Sequence, residues 1–457
     1  MEKELSKKIS LFLAVLGTAI LVIVFIHWSF TKSSITWYGW LAAFASASLA
    51  WVIYIKFVPK WMDFWGNADE YGDGKLNKET DVPRYTYIKI FSALTVFCVF
   101  TLLLIFFIRY TKGYAQTFSD SLAVWMETDA RHYQDIAKEW YLSEGEWDRL
   151  VQLVFLPGYP LLIKAAVFII HDYYKAGFIV SVLSYATSGC MLYKLMRLDF
   201  THSEAMRAIK YLCIMPASFF FAGPMSESLF LLMSISCIYC IRTKKWVLGC
   251  FFGGYASFTR SLGITLIVPL IFELVNEICR NNTRLLKKSY IIKNSISVLL
   301  IPTGFAMYCV INYMVSGDFL KFMEYQSRHW SQNPGWFFNT ASYQTELIVG
   351  NWGENYKIIA GLWAPNVLMI FSALVLMIFA VKKLRPGYTA WFIAYFIVAI
   401  GATWLLSAPR YLAGFAALPV AAADVTCNKK ADTVMTICCI SLNIIYLYTF
   451  SVRWYVW

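Results

Sequence analysis

Charge is scarce in this chain. Of 457 residues, 15% are Asp, Glu, Lys or Arg, against roughly 25% in an ordinary soluble protein. No polar stretch is long enough to make a soluble domain of normal size, and there is no internal repeat or low-complexity tract. Histidine is rarer still, with five residues and no His-x-x-x-His or Glu-x-x-His pattern, which argues against a zinc site. No glycine-rich phosphate loop is present, so ATP-driven work finds no support. The eleven cysteines fall mostly in apolar runs, as Cys98, Cys213, Cys309, Cys438 and Cys439 do. Cys237 and Cys240 have redox spacing but lie inside an expected span, where they read as small buried hydrophobes. The net charge of +12 would suggest nucleic acid in a soluble protein. Here the basic residues sit between apolar runs, where orientation and anionic headgroups explain them, and no nucleic-acid partner is expected.

What the chain has is hydrophobic length: 59% apolar and 18% aromatic residues. It reads as an all-α polytopic membrane protein. Spans are expected near 9–30, 36–58, 88–108, 176–195, 207–222, 226–242, 245–258, 260–278, 291–315, 357–381, 388–406, 408–424 and 432–450, thirteen in all. The first follows Lys7 and Lys8 and lacks a small-residue cleavage site, so it reads as an anchor. Basic connections ("EKELSKK", "RTKK", "RNNTRLLKK", "KKLRP", "CNKK") alternate with connections carrying at most one basic residue. The positive-inside rule then puts the N-terminus in the cytoplasm and the C-terminus outside. This holds only if "FLPGYPLLIKAAVFII" (155–170) does not cross. Pro157 and Pro160 weaken a straight helix there, and the segment is expected to be re-entrant or interfacial. Two long loops, 109–153 and 316–356, lie outside. The polar loop 59–87 lies inside and lacks calcium-loop spacing, and the sequon Asn281-Asn282-Thr283 falls on the cytoplasmic side. The chain is read as one membrane domain (1–457): added N-terminal spans and loop (1–87), a core (88–424) and a last span (425–457). The compact chain and basic start point to a prokaryotic plasma membrane.

On this topology the unusual polar groups share the outer face. "WMETDARHY" holds Glu127, Asp129, Arg131, His132 and Tyr133. "PMSESLF" holds Ser226 and Glu227. "SFTRSLG" carries Arg260, "QSRHWSQNPGW" carries Arg328, His329, Trp330 and Trp336, and "APRY" carries Arg410 and Tyr411. Ionisable groups at membrane depth cost a few kcal/mol and usually face a cavity or a partner, although a single arginine at a span end can instead snorkel to headgroups. A carboxylate can serve as general base on a hydroxyl. Arginines and a histidine can hold a phosphate and stabilise charge on its departing oxygen. Tryptophan faces stack on sugar rings, and apolar grooves take a lipid tail. Together these fit glycosyl transfer from a lipid-phosphate sugar. Glu127 and Asp129 have a spacing that could share a divalent metal, which the chemistry does not require. Asp129 could also serve simply as the N-cap of a following helix. A transporter or flippase is the alternative. It would call for midplane charges and paired broken helices in two related halves.

"DARHYQDIAKEWY", "FLPGYPLLI", "MPASFFFAGPMSESLFLL", "GYASFTRSLGI" and "SAPRYLAGFAALP" occur in this order between about residues 125 and 419. In combination they resemble the conserved segments of the PIG-V-like mannosyltransferases. The resemblance implies a membrane-embedded GT-C fold and an inverting transfer of a sugar, usually mannose, from a polyprenyl-phosphate donor to a glycan, glycolipid or protein acceptor. It implies that Asp129 takes the acid position, with His132 and Tyr133 following as in the motif, that Ser226 and Glu227 match the Ser-Glu-Ser element, and that Arg260 and Arg410 match the later arginines. Two positions depart: Thr128 stands where the family has Trp, with Trp125 three residues earlier, and Met225 replaces a Tyr. The expectation is thus Asp129 as base with Glu127 beside it, and Arg260, Arg410, Arg328 and His329 on the donor phosphate. Arg131, His132, Tyr133, Ser226, Glu227, Trp330 and Tyr411 would contact substrate at the extracytoplasmic surface.

Overall fold

A computed structural model describes residues 2–32, 34–67, 84–145, 147–281 and 288–456. Among them there is no strand beyond a single isolated bridge between Pro334 and Ala402. Eight helices are long and apolar enough to cross a membrane: Glu4–Phe30, Trp37–Gly66, Tyr85–Thr111, Tyr173–Met196, Ser261–Cys279, Lys288–Ser316, Tyr356–Ala380 and Lys429–Ser451. Short polar side chains mark their starts. Thr36 accepts from the Gly39 amide (3.2 Å) and Asp172 from the Lys175 amide (2.9 Å), and Asn428 caps the last helix through Lys430. Each satisfies an amide the helix itself leaves free.

The expected thirteen spans become these eight long helices and a set of shorter ones. The 226–242 and 245–258 runs are the helices Glu227–Arg242 and Trp246–Thr259. The 388–406 run is a helix only over Pro386–Ile400. The 207–222 run ends its helix at Ile214, before Pro216, and the 408–424 run is split at Gly414 into Ala408–Ala413 and Ala417–Val425. At 1.5 Å per residue a 14-residue helix is about 21 Å long, yet Glu227–Arg242 and Trp246–Thr259 still run between the end that holds Glu227 and Arg260 and the end that holds Arg242. These short helices are largely buried against other helices. Their hydrophobicity reports a protein interior, which composition cannot tell from a lipid-facing run. The Trp37–Gly66 helix also runs on past Pro59, into the loop expected from residue 59. Residues 68–83 of that loop and most of the 281–283 sequon lie outside the described residues.

The 155–170 segment forms a helix over Gly158–Ile170. Its thirteen residues cover about 20 Å, too little to cross. It folds back along Tyr173–Met196, with the Tyr159 hydroxyl 2.8 Å from the Gly177 carbonyl and 2.7 Å from the Ser181 hydroxyl. Pro160 does not break it, because it sits in the first turn, where the missing amide has no partner to lose. The far end leaves Phe168 and Ile169 exposed. The connections around Arg242, Lys244 and Arg385 then gather at one end of the bundle, stitched by Arg242–Asp199 (2.7 Å), Arg385–Glu273 (2.5 Å), Lys210–Asp432 (2.6 Å) and Lys244–Glu277 (2.9 Å). The two long loops occupy the other end and carry their own helices, Ala130–Glu139, Lys321–Trp330 and Phe337–Gly350.

One close helix crossing sets where Arg260, at the end of Trp246–Thr259, is delivered. That helix meets Leu300–Ser316 where a Cβ on Gly304 would fall 1.9 Å from the Gly254 carbonyl oxygen, and one on Gly254 would fall 2.6 Å from the Leu300 oxygen. The neighbours are backbone and cannot swing aside. Gly304→Ala is therefore expected to push the helices apart and destabilise the protein by about 1–3 kcal/mol. A lowered thermal midpoint of the purified protein in detergent checks this; an unchanged midpoint would show that the crossing is loose.

Candidate active site

The loop "WMETDARHY" is pinned by its tryptophan. Trp125 is fully buried, 4.6 Å from the Phe450 ring and 5.7 Å from Phe220. It packs on Gly223, where a Cβ would come within 2.3 Å of the indole. Thr128 turns back to the Trp125 carbonyl (2.6 Å). Asp129 then stands at the N-cap position of Ala130–Glu139, yet its side chain makes no capping bond. It accepts instead from Arg410 Nη2 at 2.5 Å. Capping alone thus does not describe this carboxylate.

Arg410 comes from the Ala408–Ala413 helix and Arg260 directly follows Trp246–Thr259. Glu227, the first residue of its helix, lies between them. Its Oε1 accepts from Arg260 Nη1 at 2.5 Å, and Arg410 Nε lies 2.7 Å from the same oxygen, without hydrogen-bond alignment. Ser226 accepts from Arg260 Nη1 at 3.2 Å and lies 2.8 Å from the Tyr133 hydroxyl. The Tyr411 ring faces both guanidiniums, 5.1 Å from Arg260 and 5.9 Å from Arg410. Two cations and two anions thus meet with their side chains largely buried, where an unmatched charge would cost several kcal/mol.

Asp129, Tyr133, Arg260, Arg410 and Tyr411 line one end of a cavity of about 750 Å³. The rest of its wall is mostly aromatic, amide or aliphatic (Phe155, Tyr308, Trp330 and Trp336; Gln326, Gln332 and Asn333; Leu262, Met323, Ile397 and Val398), with hydroxyls from Thr259, Ser261 and Ser407. Gln326 donates to Gln332 (2.8 Å), and Asn333 accepts at its carbonyl from the Thr403 amide (2.9 Å), tying this wall to the 401–407 segment.

Other residues singled out by sequence lie elsewhere. Glu127 is exposed and paired with Arg453, away from the cavity lining. Arg131 is exposed. Arg328 pairs with Glu324 one helical turn earlier (2.9 Å), and the His329 ring stacks 5.4 Å from Tyr325; neither lines the cavity. The helix explains this. On Lys321–Trp330, Phe322, Met323, Gln326 and Trp330 share the cavity face, while Glu324 and Arg328 share another. Reading the charged residues as the functional ones passed over Gln326 and Gln332, although their spacing to Trp330 was available as a signal. Ser226 and Glu227 sit behind the arginines and do not line the cavity. Among the described residues no three His, Cys, Asp or Glu are grouped to hold a metal ion. Glu127 and Asp129 each face an arginine, a poor fit to a shared cation.

A helical membrane protein with a carboxylate and two arginines at one end of an aromatic and amide-lined cavity has the makings of a membrane-embedded group-transfer enzyme. The chain belongs to the Mannosyltransferase (PIG-V) family, whose model matches residues 111–341, and it is on that ground a membrane glycosyltransferase. The match covers the pinned loop, Glu227, Arg260 and the amide wall; Arg410 lies beyond it. No curated protein and no solved structure matches the chain.

His132 shows how the pinned helix is seated. Its ring stacks on Phe155 at 4.4 Å, and its Nδ1 is buried without a partner. Burial pushes its pKa below the ordinary 6.5, against the opposing pull of Asp129. The unfolded chain then binds the proton more readily than the folded one, so this contribution to stability is present above pH 6.5 and is lost as pH falls through the lower folded value. His132→Phe, which keeps the stacking, should flatten the drop in thermal midpoint between about pH 7.5 and about pH 5. An identical pH profile in both proteins would show that His132 does not contribute.

Proposed function

We propose that the protein transfers a sugar, in this family mannose, from a polyprenyl-phosphate donor to an acceptor hydroxyl, with inversion, on a GT-C-type scaffold. The observation that carries this reading is the meeting of Asp129 with Arg410 and Arg260 at one end of a single cavity. Asp129 takes the proton of the acceptor hydroxyl, whose oxygen forms the new bond to the anomeric carbon from the face opposite the phosphate. The old carbon–oxygen bond breaks with its electron pair passing to the phosphate oxygen, where the two guanidiniums stabilise it. Charge supports a monophosphate donor. The cavity lining carries only two cations, already matched by two acids, which is little for the diphosphate of a nucleotide sugar. Met323, Ile397 and Val398 are exposed apolar residues on the lining, suited to the first isoprene units of a lipid. The amides and tryptophans suit the hydroxyls and ring faces of a sugar.

In this reading the site faces the extracytoplasmic side of a prokaryotic plasma membrane, because the basic connections gather at the other end of the bundle. A transporter would need a polar path reaching both ends; the cavity lining comes from one end only.

With labelled polyprenyl-phosphate mannose, Asp129→Asn should lower transfer by about 10²–10⁴-fold; a wild-type rate would remove Asp129 as the base. Glu127→Gln and Arg328→Gln, whose side chains turn away from the cavity, should each keep transfer within about threefold, as surface changes do. A collapse of rate in either would place that group in the chemistry after all.

A further inference from the structure

Asp129 and Glu227 hold Arg410 on different terms. Glu227 is 2% exposed, its Oε1 touches both guanidiniums, and it opens a helix whose N-terminal dipole favours an acid. The Asp129 side chain is 24% exposed, has Arg410 as its one hydrogen-bonded partner among the described residues, and lines the cavity. The four charges sum to zero. A phosphate arriving beside them still finds N–H donors on the guanidiniums. If both acids stayed in place, however, it would crowd three anions around two largely buried cations. Glu227 has nowhere to go. Asp129 can turn into the cavity.

We propose that the Asp129–Arg410 ion pair is a latch opened by the donor: the donor's phosphate takes the Arg410 Nη2 position that Asp129 holds, and Asp129 swings free. This rests on the reading of the cavity as a lipid-phosphate sugar transferase. The exchange breaks one ion pair and forms another, with no covalent change. Its consequence is order. While Asp129 accepts from Arg410, the oxygen that would take the acceptor's proton is occupied. Donor binding releases it, so the donor binds first and the base becomes competent only in the loaded site. Loss of the phosphate product lets the latch close again. Arg410 is then both a phosphate ligand and the residue that withholds the base.

The probe is farnesyl phosphate, a sugar-free polyprenyl monophosphate, titrated into the purified full-length protein in detergent. In the wild type the phosphate must displace a carboxylate; in Asp129→Asn it need not. Asp129→Asn and Asp129→Ala should therefore bind farnesyl phosphate about tenfold more tightly than wild type. Infrared difference spectra of the wild type should show a carboxylate stretching band shifting on binding. Affinity unchanged or weakened in the variants, or no carboxylate shift in the wild type, overturns the latch. The wild-type spectrum needs no variant to fold. The two readings fail separately. If the wild type does not bind farnesyl phosphate at all, the lipid-phosphate donor is wrong. If it binds with the carboxylate shift but Asp129→Asn transfers normally, the latch stands and the base does not.

Discussion

Two largely buried guanidiniums cannot sit a few ångströms apart unless acids hold them there. Arg260 and Arg410 are separated by 150 positions in the chain, and neither can be neutralised by losing a proton. Glu227 bridges them through one oxygen, and Asp129 takes a remaining arm of Arg410. Much else in the outer half of the molecule serves this quartet. Trp125 in its slot against Gly223 fixes the loop that carries Asp129, and the Gly254–Gly304 crossing fixes the helix that delivers Arg260. The cavity is what remains once those anchors are set.

The arrangement divides labour between buried and exposed acids. A buried acid with two cationic partners is structural: removing it would leave like charges facing each other. A partly exposed acid with one hydrogen-bonded partner can be exchanged. At the opposite end of the bundle no such division exists, and both acids are held. Asp199 with Arg242 and Glu273 with Arg385 form two-pronged pairs and do not line the cavity of about 750 Å³. A fixed end and an exchangeable end suit an enzyme whose chemistry happens at one surface.

The family assignment and the geometry bear on different questions. The family match gives a membrane mannosyltransferase lineage over 111–341. The geometry sets two arginines and two acids beside the cavity and puts amides, where charged loop residues were expected, on its wall. Arg328 and His329 drew attention as a phosphate-binding pair. They are exposed on the side of a short helix whose other face gives Gln326 and Trp330 to the cavity.

Periodicity and the segment patterns sufficed to indicate a helical membrane protein of this family, and they singled out Asp129, Arg260 and Arg410, which the structure brings together around Glu227. They sufficed because an ionisable side chain in so apolar a chain is costly and so stands out wherever it occurs. They could not separate helices facing lipid from helices buried in protein, since both are equally apolar. Of the thirteen expected spans, eight helices among the described residues are long and apolar enough to span by length and composition, and others, such as Glu227–Arg242 and Trp246–Thr259, are shorter and buried. Nor could they tell which neighbours of a functional residue share its face. Glu127 is two residues from Asp129 and points to Arg453, while Glu227, distant in sequence, stands behind both arginines. Those outcomes depend on which way each helix is turned against the others, and that rotation is fixed by packing among all of them at once.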